Sequence, residues 1–445
     1  MTLLSVRVRW LMVWVGIAGC LVTIRVEQAF AQARIVGISQ FPPISIKDFQ
    51  NAKFAGSVAN DRKVLLGSVG SDLWRGSTDA AGEFWMVTDR GPNGQIRVDG
   101  ASRRTFWVPE FNPTIVRVKL EGSAIKIVEA VPIVGRSGKP ITGMPNAKTI
   151  DETPYDYTAQ KEFGFNVNGL DTEGLIRTKS GEFWLADEYS PSLIHADRTG
   201  KVIKRYVPAG IKLPGADYPV QESLPAIFGK RKINRGFEGL AVSADEKTLY
   251  AVLQSPLANP DRKVGDASRN TRVLVFDRDL EQVTAEYVYR FDVAHDFDLR
   301  PKMSPDEMKL SAVVYLNPTT LLILERTDWA AKLYSIDLTA ATNILKTKWD
   351  EPSTAPSLEA LDDPASGGIR VLPKTLVLDL NQFKEMPEKI EGVTVIDRNT
   401  IAVANDNDFD SEESKYDEQG NNIGKGKVSQ ILVIALDNPL PLDAK

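Results

Sequence analysis

The sequence predicts an all-β protein, a β-propeller of five or six blades with four antiparallel strands in each. Residues 172–208 contain four short apolar runs separated by the turn signals KSG, YSP and RTGK, a pattern typical of a four-stranded antiparallel meander. Residues 237–292 repeat the pattern. Repeated four-stranded units at this spacing indicate propeller blades, because each unit buries its faces only against its neighbours.

The first hairpin of the unit recurs along the chain, and this recurrence sets the blade number. Five copies are recognisable, at residues 73–89, 172–188, 237–254, 310–326 and 390–406. A sixth blade would have to be degenerate and lie in one of the long connections. These connections are rich in Pro, Gly, Lys and Asp, and we interpret them as surface insertions in a single domain: residues 135–168, 209–235 and 338–370.

The two ends of that domain, which spans residues 34–445, are both strand-like. RIVGISQF (34–41) and SQILVIAL (429–436) are dominated by β-branched and other apolar residues. Pairing them in one blade would close the ring and remove an open sheet edge. We therefore expect closure by the N-terminal and C-terminal strands.

The N-terminal 33 residues have the form of a secretory signal peptide. Arg7 and Arg9 precede a mostly apolar run from Trp10 to Ile24, and small residues follow up to Ala33. This run is shorter than the roughly 18 to 20 residues that span a bilayer, so we expect no transmembrane segment. The protein is then exported, to the periplasm or beyond. An alternative is a lipoprotein signal, in which Cys20 of IAGC is lipidated.

Charge and cysteine content exclude several classes of protein. The formal net charge is −5, and the signal peptide would remove more basic than acidic residues, so the protein does not have the charge of a nucleic-acid binder. The one cysteine, Cys20, lies in the predicted signal peptide, which leaves no disulfide in the mature chain. With two histidines and no G-x-S-x-G motif, a Ser-His-Asp hydrolase is also disfavoured.

Acidic residues mark both ends of the repeated hairpins. Glu173 and Glu188 flank one hairpin, and Glu391 and Asp406 flank another at the same spacing. The residue before the first strand of a hairpin and the residue after the second lie at the same sheet edge. If these hairpins are the inner strands of their blades, the acids meet at one mouth of the central channel. Further polar residues are expected to join them there: Asp187, Glu238, Glu325, Asp89 and Asn405.

Such a ring of carboxylates predicts a divalent cation. Crowded acids repel one another unless they are protonated or neutralised, and hard cations prefer oxygen ligands. Calcium is the natural candidate; magnesium or manganese would also fit, whereas zinc is disfavoured in a chain so poor in Cys and His. The metal ligands that this hypothesis names are Glu173, Glu188, Glu238, Glu391 and Asp406.

Basic residues next to the acids predict an anionic ligand. Arg90, Arg235 and Arg326 adjoin the ring positions, and guanidinium groups beside a cation suit a phosphate or carboxylate. Glu325 or Asp187 is the predicted general base. Taken singly, each acid is more simply a solubilising strand-end residue, and the hypothesis depends on their repetition.

The hairpins resemble the phytase-like domain family, described as having the esterase-like activity of phytase. The resemblance covers the chain from about residue 55 onward and rests on DTEGL (171–175), NRGFEGLAVSADEKTLYAVLQSPL (234–257), TRVLVFDRD (271–279), LLILERTD (321–328), IEGVTV (390–395) and NDNDF (405–409). It implies an exported propeller that hydrolyses phosphate or other esters. Gln254 departs from it, since an acid is expected there.

The leading functional hypothesis is an exported, monomeric, metal-dependent ester hydrolase that acts on small anionic substrates, phosphate esters in particular. A rival is a non-catalytic propeller that binds a ligand or an envelope partner and holds a structural cation. A third hypothesis is a lactonase-like hydrolase, because calcium-dependent sugar lactonases also place acids around a propeller mouth.

Overall fold

A computed structural model of the protein describes residues 33–51, 54, 56–411 and 414–443. The predicted signal peptide lies outside the described residues except for Ala33, where the first strand begins. The α-helices are α1 (Ile46–Phe49), α2 (Arg262–Ala267) and α3 (Ala294–Phe297). The strands, in chain order, are β1 (Ala33–Gln40), β2 (Asp72–Trp74), β3 (Glu83–Val87), β4 (Asn93–Val98), β5 (Ala101–Phe106), β6 (Thr114–Glu121), β7 (Ala124–Pro132), β8 (Pro154–Asp156), β9 (Thr172–Arg177), β10 (Phe183–Asp187), β11 (Ser192–Ala196), β12 (Val202–Pro208), β13 (Val220–Leu224), β14 (Phe237–Val242), β15 (Thr248–Leu253), β16 (Asn270–Asp277), β17 (Gln282–Arg290), β18 (Lys309–Asn317), β19 (Thr320–Arg326), β20 (Ala331–Asp337), β21 (Lys374–Asp379), β22 (Ile390–Asp397), β23 (Thr400–Asn405) and β24 (Gln430–Leu436).

The strands form mainly antiparallel sheets, which confirms the predicted all-β class. Two sheets have four strands in sequence order, β14-β15-β16-β17 and β18-β19-β20-β21. A third consists of the antiparallel meander β9 to β12 with β13 added in parallel at its outer edge. An eight-stranded sheet contains two four-stranded halves, β2-β3-β6-β7 and β22-β23-β24-β1, which are linked through Gln40 and Ala124. The strands predicted in residues 172–208 and 237–292 are all present.

The two ends of the described chain share a sheet. Strand β1 pairs antiparallel with β24 from Ala33 opposite Leu436 to Gln40 opposite Gln430, the pairing that the sequence predicts. The hairpin β4–β5, which lies between β3 and β6 in the chain, was not predicted, and it forms a small separate sheet with β8.

The first strand of each four-stranded unit packs against the first strand of another. These contacts run from β9 to β14, β18, β22, β2 and back to β9. Glycines permit the close approach: a Cβ added to Gly239 would lie 2.8 Å from the Cα of Ala312, and one added to Gly392 would lie 2.8 Å from the backbone nitrogen of Leu73. The inner strands are therefore nearer to one another than side chains at these positions would allow.

Gly239→Ala is expected to destabilise the protein by about 1–3 kcal/mol, because the added methyl group overlaps backbone that has little freedom to shift. Gly164→Ala is the matched control, since a Cβ there meets no atom within 4 Å and the backbone φ is not positive. Urea denaturation of both variants measures the difference. Equal stabilities would show that the inner strands can move apart.

The segment between β20 and β21 is tied to the β14–β17 sheet by buried charges. Arg272 forms ion pairs with Glu286 and Glu359, and all three residues are buried. The Arg272 guanidinium also donates to the carbonyl of Trp349, at 3.1 Å. Burial raises the pKa of Glu286 to about 7; Arg272 opposes this shift, and the nearby Asp350 adds to it. One arginine thus faces three carboxyl groups.

This imbalance predicts that stability falls as pH rises. A carboxyl group with a raised folded-state pKa contributes stability that is fully present below about pH 4.5 and is lost as the pH passes about 7. For Glu286 the difference approaches about 3 kcal/mol. Glu286→Gln stays neutral, so its stability should decline less between pH 5 and pH 8 than that of the wild type. The exposed-site variant Glu385→Gln, measured by the same denaturation experiment, should decline like the wild type.

Candidate metal centre and anion-binding pocket

A charged pocket of about 400 Å³ opens where the inner strands β9, β14, β18 and β22 begin. We call it the acidic pocket. Most of its lining side chains are charged, and the rest are glycine or uncharged polar residues. The lining residues are Asp89, Arg90, Asn93, Gly94, Gln95, Arg104, Asp171, Glu173, Glu188, Asn234, Arg235, Glu238, Gln254, Lys309, Arg326, Asp328, Lys389, Glu391, Asp406 and Asp408.

β-Bulges direct three glutamates into this pocket. The pairing of β9 with β10 skips Glu173, that of β14 with β15 skips Glu238, and that of β22 with β23 skips Glu391. The pairing of β18 with β19 skips Ser311 in the same way. A bulge leaves one residue unpaired and re-aims its side chain, so the repeated bulge accounts for the convergence of these glutamates.

The residues that follow the second strands complete the ring. Glu188 and Asp406 line the pocket beside Glu173 and Glu391 respectively, so both acid pairs that the sequence predicts lie in one site. In the other two hairpins the corresponding residues are Gln254 and Arg326, which also line the pocket. The first hairpin differs, because the residue opposite Val87 near the end of β3 is Asp72. Its carboxylate accepts hydrogen bonds from the backbone nitrogens of Leu73 and Leu175.

Two groups of carboxylates in the pocket have the spacing of metal ligands. Asp89, Asp171 and Glu173 form one group, and Glu173, Glu238 and Glu391 form the other; within each, one oxygen per residue lies within 4.8 Å of the others. Glu173 belongs to both groups. All the candidate ligand atoms are carboxylate oxygens, which suits calcium, magnesium or manganese.

Several carboxylate oxygens of the pocket lack a hydrogen-bond donor among the described residues. Within the described part of the chain, Glu173 is 8% exposed and makes no hydrogen bond or ion pair. Glu188 Oε1 and Glu238 Oε2 are buried and accept no hydrogen bond from any described residue. Buried carboxylate oxygens normally have donors, so a cation would supply what these atoms lack. The residues present therefore fit an oxygen-ligated metal.

The electrostatics of the acidic half reflect this deficit. Burial raises the pKa of Glu173 well above its usual value, and the charges of Glu238, Asp171 and Glu391 raise it further. Burial and Glu238 likewise raise the pKa of Glu188. Burial raises the pKa of Glu238 to about 7. The ionised forms of these carboxyl groups are therefore destabilised unless a positive charge lies beside them.

Most of the basic side chains that line the pocket form ion pairs with acidic side chains of the same pocket. Lys309 Nζ lies 2.6 Å from Asp328 Oδ1, and Arg326 forms ion pairs with Asp328 and Glu391. Burial, with the charges of Arg235 and Arg326, lowers the pKa of Lys309 to about 8.

Arg90 and Arg235, two of the predicted anion-binding arginines, differ in whether an acidic residue pairs with them. Arg90 Nη1 is 3.2 Å from Asp171 Oδ2 and 3.4 Å from Glu152 Oε1. Arg235 instead donates to the neutral Gln254 Oε1, at 2.7 Å, and forms no ion pair with any residue that the structure describes. Of the three predicted anion-binding arginines, Arg235 is therefore the one with an uncommitted charge.

Neither of the predicted general bases, Asp187 and Glu325, lines the pocket. Asp187 is fully buried and pairs with Arg205, 2.5 Å away, and Glu325 pairs with Lys374 at the same distance. Successive side chains of a strand point to opposite faces. Since Glu188 and Arg326 face the pocket, the residue before each faces away, and Asn405 precedes Asp406 in the same way.

Several pocket residues were missed by the sequence reasoning. Asp171 lies two residues before Glu173, so the alternation of strand side chains could have identified it. The same two-residue spacing from a ring position holds for Lys309 and Asp328 in one hairpin and for Lys389 and Asp408 in another, so alternation could have identified them as well. Asn93 and Arg104 come from the unpredicted hairpin β4–β5, where no repeat marks them.

No helix in the described part of the chain is long and apolar enough to cross a membrane.

Comparison with known proteins identifies a family. A family model named phytase-like and described as the esterase-like activity of phytase matches residues 75–409, a segment that contains every residue lining the acidic pocket. An uncharacterized secreted protein of Arthroderma benhamiae is 25% identical over 312 residues, and the match covers 60% of this chain and 60% of that protein.

Three solved structures illustrate the structural similarity of this chain to known proteins, and all three have low TM-scores. A luciferin-regenerating enzyme has a TM-score of 0.33 and 10% identity, over 85% of this chain and 97% of that chain. The calcium-binding protein regucalcin from Agrobacterium tumefaciens has a TM-score of 0.31 and 10% identity, over 85% and 93%. The Dos1 propeller has a TM-score of 0.27 and 7% identity, over 82% and 67%.

Proposed function

Because the chain belongs to the phytase-like family, described as having the esterase-like activity of phytase, we propose that it is a metal-dependent hydrolase of anionic esters, phosphate esters in particular. The observation that carries the proposal is a pocket in which, among the described residues, buried carboxylate oxygens without donors lie beside an arginine without an ion pair. The carboxylates suit a hard cation and the arginine suits an anionic group.

The carboxylates divide between two roles. Glu173, Glu238 and Glu391, which form one of the two close groups, would hold the cation. When bound there, a divalent cation supplies a Lewis acid for the ester oxygen and lowers the pKa of a water molecule. Glu188 and Asp406, which the sequence analysis counted among the ligands, line the pocket outside both close groups.

Glu188 takes the general-base role that was predicted for Asp187. Its Oε1 faces the pocket with no donor among the described residues, and burial and Glu238 keep its pKa above the usual range. A carboxylate with a raised pKa is a stronger proton acceptor than one with an ordinary pKa.

An assay panel tests the proposed activity. Purified protein, freed of metal with EDTA, is assayed on aryl phosphate, aryl acetate, phytate and a lactone, each with calcium, magnesium or manganese. We expect turnover of phosphate esters that requires an added cation. Turnover of the lactone alone would instead support a lactonase-like hydrolase. No turnover of any substrate with any metal would overturn the proposal and leave a non-catalytic, ligand-binding propeller.

Arg235→Met is expected to raise KM for the anionic ester by roughly 10- to 100-fold, because the substrate would lose a charge-assisted hydrogen bond worth about 1.5–3 kcal/mol. The effect on kcat should be smaller, since the arginine would bind the ground state as well as the transition state. Arg198→Met removes an exposed arginine outside the pocket and should change neither constant. Steady-state kinetics compares them, and an unchanged KM in Arg235→Met would place the anion elsewhere.

The wider architecture completes the proposal. The cycle of contacts among the inner strands and the β1–β24 pairing support a closed propeller of five blades in one domain over residues 34–445. In this assignment residues 135–168, 209–235 and 338–370 are insertions between blades. The secreted relative supports export after removal of residues 1–33, with lipidation at Cys20 as the alternative, and the working state is a monomer. N-terminal sequencing of the exported protein distinguishes cleavage from lipidation.

A further inference from the structure

We propose that the acidic pocket holds two divalent cations at once, with the Glu173 carboxylate shared between them. This inference rests on the proposed function for the existence of a metal centre and deepens it by assigning the number of ions and the bridging residue. The second position lies at Asp89 and Asp171, neither of which is needed for a single ion at Glu238 and Glu391.

The geometry favours two positions over one. The two close groups of carboxylates have Glu173 in common and are otherwise made of different residues: Asp89 and Asp171 on one side, Glu238 and Glu391 on the other. A single ion at either group would leave the other two acids without it. A carboxylate has two oxygens and can serve two ions, one through each.

Glu173 is the residue that an ion must satisfy. It is 8% exposed, faces the pocket from a β-bulge, and has no hydrogen bond or ion pair within the described residues. Glu238 Oε2, in one of the groups, is also buried without a donor there. By contrast, the acids on the basic side of the pocket, Asp328 and Asp408, are paired with lysines.

The net charge of the residues that line the pocket agrees with two bound divalent cations. Nine carboxylates and six basic side chains line it, an excess of three negative charges. Glu152, which is paired with both Arg90 and Arg104 just behind the lining, brings the excess to four. One divalent cation would halve this excess, and two would cancel it. Because uncompensated charge is costly in a buried site, two ions are favoured.

The test is to count ions bound to the whole metal-free protein. Isothermal titration and equilibrium dialysis with calcium should give two per chain for the wild type. Asp89→Asn and Glu391→Gln should each reduce the count to one, and Glu173→Gln should weaken binding of both ions by at least 10-fold. Glu385→Gln removes an exposed carboxylate and should still bind two. Loading with manganese gives an independent readout, because two ions on one carboxylate produce a spin-coupled electron paramagnetic resonance spectrum.

Each result decides the inference. Two ions with a coupled spectrum that Glu173→Gln removes would support it. One ion in the wild type, or two ions whose spectra are uncoupled, would overturn it while leaving the proposed metal-dependent activity intact. No bound ion would refute both the bridged centre and the metal dependence. Two coupled ions in a protein that turns over no ester would uphold the centre and refute the hydrolase.

Discussion

Glu173→Gln is expected to reduce kcat/KM for the anionic ester on the order of 10³-fold, the largest effect that we predict on activity. The substitution preserves the shape of the side chain and removes its charge. Glu173 belongs to both close groups of carboxylates, so the substitution removes a candidate ligand from each of them. Loss of several kcal/mol of charge stabilisation corresponds to a factor of this size.

The same variant has an expected stability signature that simple misfolding would not produce. In the metal-free protein Glu173 is a buried carboxyl group beside like charges, and those charges and burial raise its pKa. A neutral amide relieves this repulsion, so metal-free Glu173→Gln should melt at the same temperature as the wild type or higher. Calcium should then raise the melting temperature of the wild type much more than that of the variant. A variant that melts lower without metal and responds normally to calcium would contradict the role assigned to Glu173.

The fold was predictable from the sequence wherever a local pattern repeated. Alternating apolar residues and turn signals predict the meander of residues 172–208, and the structure contains its four strands. The hairpin β4–β5 occurs once, between two strands of another sheet, and carries no repeat. Its position over the pocket depends on its pairing with β8, a contact between segments some fifty residues apart that no local pattern encodes.

The site was predictable to the extent that strand ends share an edge. Glu173 and Glu188 have the same spacing as Glu391 and Asp406, and all four residues line one pocket. Asp187 and Glu325 lie outside the pocket because alternation along a strand turns neighbouring side chains to opposite faces, whereas the sequence reasoning treated nearness along the chain as nearness in the pocket. The bulges could not be predicted from the sequence of a single strand, because a register shift is defined only by the pairing of two strands.

Arg205→Met is expected to lower the free energy of unfolding by about 3–5 kcal/mol, the largest effect that we predict on stability. Arg205 has no exposed surface, and its guanidinium donates to Asp187 Oδ2 at 2.5 Å, Asn146 Oδ1 at 2.9 Å and the Tyr189 carbonyl at 2.8 Å. Methionine fills similar volume but leaves the Asp187 carboxylate buried without its cation. Chemical denaturation followed by tryptophan fluorescence measures the loss.

Companion variants separate this structural role from the catalytic one that the sequence suggested for Asp187. Arg205→Met combined with Asp187→Leu removes both charges, and well-packed apolar replacements of a buried pair are often neutral or stabilising, so the double variant should recover much of the loss. Asp187→Asn should cost stability while kcat per folded molecule stays near the wild-type value, because the side chain lies outside the pocket. If kcat instead fell 100-fold in a folded Asp187→Asn protein, the buried pair would have to transmit its charge to the reacting groups, and Glu188 would no longer suffice as the base.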